Sequence, residues 1–319
     1  MPHQRLRDNQ KEAAVSNQHE VREHDGGLVD ASVRERVLAE VPLTERRLEL
    51  GGVSTAVLEG GDGPPVVLLH GQGEFAATWG PVVPGLMTTH RVIAPDLPGH
   101  GASEVVAGRL RAVQVIPWLG ELIEQTCSTP PALIGHLLGG AIAARYTIDR
   151  PDQVTRLVLV DTFGLSRNRP RPKFAFSLMG FLARPTERTR DRLFNQCFAD
   201  FDGMRDSMGE RWDPVAAYAL DRARAPGMKA ALRSLMPQFG MRPIPPHELA
   251  RIAVPTSLIW GRHDRQISLR VAQAASDRYG WPLHIIEGAA DDPCFEQPEA
   301  SLHALHAGLG TSTRRETAK

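Results

Sequence analysis

Four short apolar runs constrain this chain more than any other feature: Pro65–His70, Val92–Asp96, Ala132–His136 and Arg156–Asp161. Each is continuous rather than alternating, as a strand must be when helices cover both of its faces. Helical spacings separate them. Val113, Ile116, Leu119, Leu122 and Ile123 share one face of a segment ending near Cys127, and a second such segment runs from Gly139 to Asp149. Strand then helix, repeated, predicts parallel βαβ units. Upstream, two alternating runs flank Gly51-Gly52 and predict a β-hairpin with a two-residue turn.

After Gly164 the rhythm breaks, and residues 165–250 carry helical patterns without a convincing strand. The alternation resumes with Thr256–Trp260, a helix over Ser268–Tyr279, Leu283–Ile286 and a last helix from Pro298 to Leu309. The expected architecture is α/β: one mostly parallel, eight-stranded sheet formed by residues 41–164 and 251–310, with a helical cap inserted over 165–250. Residues 1–40 and 311–319 are polar and read as tails.

Charge and cysteine content narrow the function. The chain has 319 residues with 37 basic and 37 acidic side chains, so no overall field draws it to nucleic acid or to a membrane, and neither is expected as a partner. Its three cysteines, Cys127, Cys197 and Cys294, lack metal-site or disulfide-framework spacing, and no metal or cofactor is expected. No run of eighteen apolar residues and no signal-peptide core is present, which predicts a cytoplasmic protein.

Four landmarks, in order, resemble the α/β-hydrolase superfamily, in particular its capped esterases, C-C hydrolases and epoxide hydrolases. They are Leu68-Leu-His-Gly-Gln-Gly73, Ala94-Pro-Asp-Leu-Pro-Gly-His-Gly101, Gly135-His-Leu-Leu-Gly-Gly140, and the pair Trp260-Gly-Arg-His-Asp264 and Gly288-Ala-Ala-Asp291 with Glu296-Gln-Pro-Glu299. The resemblance covers about residues 44–310 and implies an α/β-hydrolase fold. It places Leu137 where the family carries its serine nucleophile and Asp291 where it carries its histidine, while Asp264 keeps the position of the acid. Leucine has no lone pair to attack with, so acyl-enzyme chemistry at that position is excluded.

The same resemblance implies an oxyanion hole from the backbone N–H groups of Gln72 and Leu138, which does not depend on the missing side chains. Asp264 and Asp291 are the candidate catalytic carboxylates; if buried together, like-charge repulsion raises the pKa of one. His70, Leu137 and Cys294 are candidate pocket residues, His136 is read as structural, and His263 adjoins Asp264. Phenylalanine and methionine concentrate in the cap, including Phe174, Phe181, Met204 and Met228, and fit an adaptable pocket for a small apolar ligand bearing a carbonyl or carboxylate. Two functions remain open. One is cofactor-free, non-covalent chemistry by a lyase, isomerase, epimerase or water-activating hydrolase. The other is a non-catalytic protein that binds a ligand or a partner. Fluorophosphonate labelling would expose a missed nucleophile, with Ser54, Ser103 and Thr162 to be reconsidered first.

Overall fold

The computed structural model describes residues 31–106, 108–167 and 169–311. The strands are β1 (Thr44–Leu50), β2 (Val53–Gly60), β3 (Pro65–Leu69), β4 (Arg91–Pro95), β5 (Glu104–Val105), β6 (Ala132–His136), β7 (Arg156–Val160), β8 (Thr256–Gly261) and β9 (Leu283–Ile286). They form one sheet in the order β1-β2-β4-β3-β6-β7-β8-β9. The five pairings from β4 to β9 are parallel, whereas β1–β2 and β2–β4 are antiparallel. The expected eight strands make up the main path. A ninth, the two-residue β5, pairs with β2 and was invisible as a pattern because two residues carry no periodicity.

Gly51 and Gly52 turn the β1–β2 hairpin with φ of 55° and 81°. Both central residues of that turn need positive φ, which glycine adopts without a Cβ clash. In the parallel part, successive residues of each strand point to opposite faces. Val67, Leu69, Leu133, Leu157, Leu159 and Leu258 join one buried cluster, and Val66, Leu68, Ile134, Val158, Val160 and Ile259 join the other. These are the two sides of a three-layer α/β/α core.

Helices α1 (Ala31–Leu38), α2 (Val83–Met87), α3 (Val115–Thr126) and α4 (Leu137–Asp149) precede or connect the early strands. Between β7 and β8 every regular element among the described residues is helical, including α5 (Pro172–Ala183), α6 (Glu187–Cys197), α7 (Phe201–Met208), α8 (Trp212–Arg224), α9 (Pro226–Leu235) and α10 (Pro246–Leu249). The sheet nevertheless closes across that insertion, with Val158 opposite Ser257. α11 (Leu269–Tyr279), α12 (Pro293–Glu296) and α13 (Pro298–Leu309) complete the chain.

One expectation needs correction. Residues 31–40 are not tail: α1 packs on α8, and the Arg34 guanidinium donates to Tyr218 Oη at 2.9 Å and pairs with Glu45 and with the buried Asp96. Arg34 and Val37 are buried three residues apart within α1. That spacing is a one-sided helical stripe too short to stand out from its polar surroundings; tertiary packing makes it a helix. Residues 1–30 and 312–319 lie outside the described residues.

Candidate functional site

Loops leaving the C-terminal ends of β3, β6, β7, β8 and β9 meet over the middle of the sheet, where open α/β sheets place their ligands. The central one is the β6–α4 turn. Leu137 has φ of +46°, a left-handed conformation that a leucine adopts at a cost of ~1–2 kcal/mol. The surroundings enforce it. A Cβ on Gly135 would lie 2.5 Å from Gly140 Cα, one on Gly139 would lie 2.1 Å from the Leu69 carbonyl oxygen, and one on Gly140 would lie 2.1 Å from Thr162 Oγ1. The Leu137 carbonyl accepts from Phe163 N–H at 3.2 Å, and Gly139 N–H donates to the His70 carbonyl at 3.1 Å. The strained turn thus survives with a hydrocarbon at its apex, and Leu137 is buried. Leu138 lies in the first turn of α4, where backbone N–H groups have no intrahelical acceptor.

His70 is held inside the preceding loop. Its Nδ1 lies 2.7 Å from the Gly71 carbonyl and its Nε2 accepts from Leu97 N–H at 2.9 Å. Donor at one nitrogen and acceptor at the other define a neutral imidazole, and burial lowers its pKa from 6.5. With its lone pair already engaged, His70 shapes the turn and does not face a ligand as expected. His263 is exposed.

His136 is different. Its Nε2 meets the Asp291 carbonyl at 2.6 Å and its Nδ1 meets Glu74 Oε2 at 3.1 Å. Both partners are acceptors, so both nitrogens donate and the ring is an imidazolium. Burial opposes that charge, but Glu74 outweighs it and holds His136 well above 6.5; reciprocally, His136 keeps Glu74 below 4.5 despite burial. The reading of His136 as a strand-end residue missed this ion pair, because Glu74 is distant in sequence.

The carboxylates gather beside it. Asp264 Oδ1 accepts from Gln266 N–H at 2.7 Å and Ile267 N–H at 2.8 Å, as expected of a carboxylate closing a turn after a strand. Asp161, at the end of β7 with φ of +39°, accepts from Gly261 N–H at 3.0 Å and hydrogen-bonds the Asp264 carboxyl. The Oδ2 atoms of both are buried and have no other partner. Two carboxylates cannot bond each other without a proton, so the pair shares one. Burial pushes Asp264 up to about 7, and burial together with Asp264 pushes Asp161 well above 3.8. The direct carboxyl–carboxyl contact is therefore Asp161–Asp264. Asp291 joins through Gln266, whose Nε2 lies 3.4 Å from Asp291 Oδ2 and whose Oε1 accepts from Gln72 Nε2 at 3.0 Å. Burial, then Asp264 and Glu296, raise Asp291 well above its ordinary range, and its Oδ1 is unpartnered.

Cys294 does not enter this space. It is buried in the cluster on the other side of the sheet with Val160, Ile259 and Leu305. The cysteine at the site is Cys197, from the C-terminal end of α6: its carbonyl accepts from Asp291 N–H at 3.1 Å and its thiol hydrogen-bonds the Asp291 carboxyl. Burial, then Asp291, push that thiol well above 9.0, so it is a proton donor rather than a nucleophile. Glu296 completes the latch by accepting from Ala290 N–H at 2.7 Å and Ala199 N–H at 2.6 Å, while Arg265 Nη1 donates to the carbonyl of Phe198 at 2.8 Å. Neither Cys197 nor Gln266 carries a motif. Only the fold brings them to the site.

The approach of the β8 and β9 loops depends on Gly261, where a Cβ would lie 1.7 Å from the Ala290 carbonyl oxygen. Gly261→Ala is expected to lower stability by about 2–3 kcal/mol, because backbone must move to admit the methyl group. Chemical denaturation measures this, and a change under 0.5 kcal/mol would contradict so close an approach.

Residues 66–304 match the alpha/beta hydrolase family. The chain belongs to that family. Among its relatives this α/β hydrolase is 31% identical to the magnesium-chelatase 30 kDa subunit of Rhodobacter capsulatus, over 72% of this chain and 82% of the other. It is 26% identical to the pimeloyl-[acyl-carrier protein] methyl ester esterase of Aeromonas hydrophila, over 81% of this chain and all of the esterase. In three dimensions it superposes on the 2-hydroxy-6-oxo-6-phenylhexa-2,4-dienoate hydrolase of Rhodococcus sp. strain RHA1 with a TM-score of 0.73 at 22% identity, covering 85% and 100% of the two chains. Among its described residues no helix is long and apolar enough to cross a membrane, and no cluster of His, Cys, Asp or Glu is arranged to hold a metal ion.

Proposed function

We propose that this α/β hydrolase has a degenerate triad, Leu137 standing for the nucleophile and Asp291 for the histidine, and that its site works without a covalent intermediate. A small apolar ligand enters beneath the helical cap and places a carbonyl or carboxylate oxygen at the amides of Gln72 and Leu138. Asp291, its carboxyl held well above 3.8 by burial and by Asp264, then transfers a proton to or from the ligand. The observation that carries this reading is the burial of Asp291 and Asp264 in one network, joined through Gln266 to the loop of Gln72. A pure receptor has no need of carboxyls held against their ionisation. General acid–base catalysis works best with a group whose pKa is near the working pH, and Asp264, pushed up to about 7, meets that condition.

The test is proton exchange. In D₂O, aryl and alkyl ketones and 2-oxo acids that raise the melting temperature of the protein are expected to gain deuterium next to the carbonyl, followed by proton NMR. Asp291→Asn should abolish exchange, by 100-fold or more, while the same ligands still bind. Binding without exchange, unchanged in Asp291→Asn, would favour the second reading: a non-catalytic member of an assembly. The likeness to a protein named as a magnesium-chelatase subunit supports that alternative.

A further inference from the structure

The balanced charge of the whole chain conceals one strongly biased segment. From Leu165 to Arg192 there are eight Lys and Arg side chains against two acidic ones. Arg190 is buried and paired with Asp191. The other seven basic residues, Arg167, Arg169, Arg171, Lys173, Arg184, Arg188 and Arg192, are exposed, and none forms an ion pair among the described residues.

In the middle of this segment α5 is apolar on two sides. Its inner face, Phe174, Ser177 and Phe181, is buried against the neighbouring helices. Its outer face has Pro172, Phe176, Met179 and Ala183 at spacings of four, three and four residues, which is one stripe of an α-helix. All four are exposed, Phe176 by 71% and Met179 by 63%. No acidic residue lies within α5. Moving a phenylalanine and a methionine out of water is favourable, so leaving both in water on one stripe is a cost that a partner surface would remove.

We propose that the outer face of α5 docks in the plane of an anionic lipid surface, with Phe176 and Met179 among the acyl chains and the basic residues on either side against the headgroups. The charge pattern selects this occupant: an apolar stripe bracketed by uncompensated cations at both ends is the arrangement by which an interfacial helix binds anionic lipid. Twelve residues span only about 18 Å, which suits lying in the surface and excludes crossing it. The expectation of no membrane partner rested on net charge and on the lack of a spanning segment, and neither observation bears on a helix that lies flat.

Flotation of the full chain with vesicles tests this. Vesicles of phosphatidylcholine with 30% phosphatidylglycerol should carry the protein at low salt, and binding should fall at least tenfold in about 0.5 M salt or with phosphatidylcholine alone. Phe176→Glu with Met179→Glu should abolish binding, whereas Met241→Glu, at another exposed methionine, should leave it intact. Should the double glutamate variant melt early, Phe176→Ser with Met179→Ser replaces it. In Phe176→Trp, emission should shift to the blue on adding anionic vesicles and be quenched by brominated acyl chains. Lack of flotation, or flotation that survives the stripe variants, overturns the proposal. Self-association in solution that those variants abolish, without vesicle binding, would overturn it in favour of a protein partner.

Discussion

Leu137→Ser combined with Asp291→His is expected to create esterase activity that neither substitution produces alone. A serine hydroxyl at 137 would stand at the apex of a turn whose strained geometry is already enforced by Gly135, Gly139 and Gly140, but its pKa is far above neutral and it needs a base within about 3 Å. A carboxyl at 291 does not replace imidazole in this role, and burial with Asp264 holds it well above 3.8. An imidazole at 291 could serve, and Asp264 Oδ2, which has no partner beyond the shared proton, would orient it. With p-nitrophenyl acetate and butyrate, the double variant should exceed either single variant by about 10²–10³-fold. Its rate should rise with pH through about 7, as the Asp264 carboxyl ionises. Fluorophosphonate should label the double variant at position 137 and leave the parent protein unlabelled. Equal background rates in all three folded variants would show that the loops have left triad geometry.

The second large effect is on stability. The protein is expected to lose about 2 kcal/mol or more between about pH 5.5 and about pH 8.5, with maximum stability on the mildly acidic side of neutrality. The sign follows from the direction of each shift. Asp161, Asp264 and Asp291 have folded pKa values above the unfolded 3.8, so their contribution is complete below 3.8 and is lost as pH rises through the folded value, about 7 for Asp264. His136 acts in the same direction: its contribution is complete below 6.5 and is lost only as pH rises through its raised value. Glu74 opposes them, contributing above 4.5 and losing that contribution as pH falls through its lowered value, which limits stability on the acid side.

Denaturation profiles against pH measure the slope, and Asp264→Asn should flatten it above pH 6. His136→Ala should cost about 3 kcal/mol, because it leaves the Glu74 carboxylate without its cation and the Asp291 carbonyl without its donor. A profile that climbs steadily to pH 8.5 would mean that these carboxyls are ionised in the fold.

The strands, the order of the landmarks and the glycine pattern of the β6–α4 turn were legible in the sequence because each depends on local rules. A strand covered on both faces must be apolar throughout, and a turn that brings Gly139 against Leu69 must lack a Cβ. The position of Leu137 within that turn, and hence the absence of a nucleophile there, follows from the same spacing. What the chain order could not reveal is which distant groups share a proton or a hydrogen bond. The partner of Asp264 is Asp161 rather than Asp291, Gln266 links Asp291 to Gln72, and Cys197 rather than Cys294 reaches the site. Each of these contacts joins residues on different loops, set by the stacking of parallel strands and by the way the helical insertion latches onto the β8 and β9 loops. The ionisation of these groups was equally hidden, since it depends on burial and on neighbours: the same aspartate is a solvated anion on a surface and a proton carrier when two carboxyls share one dry space. Local sequence determined the backbone that positions the site, and tertiary structure decided its protons.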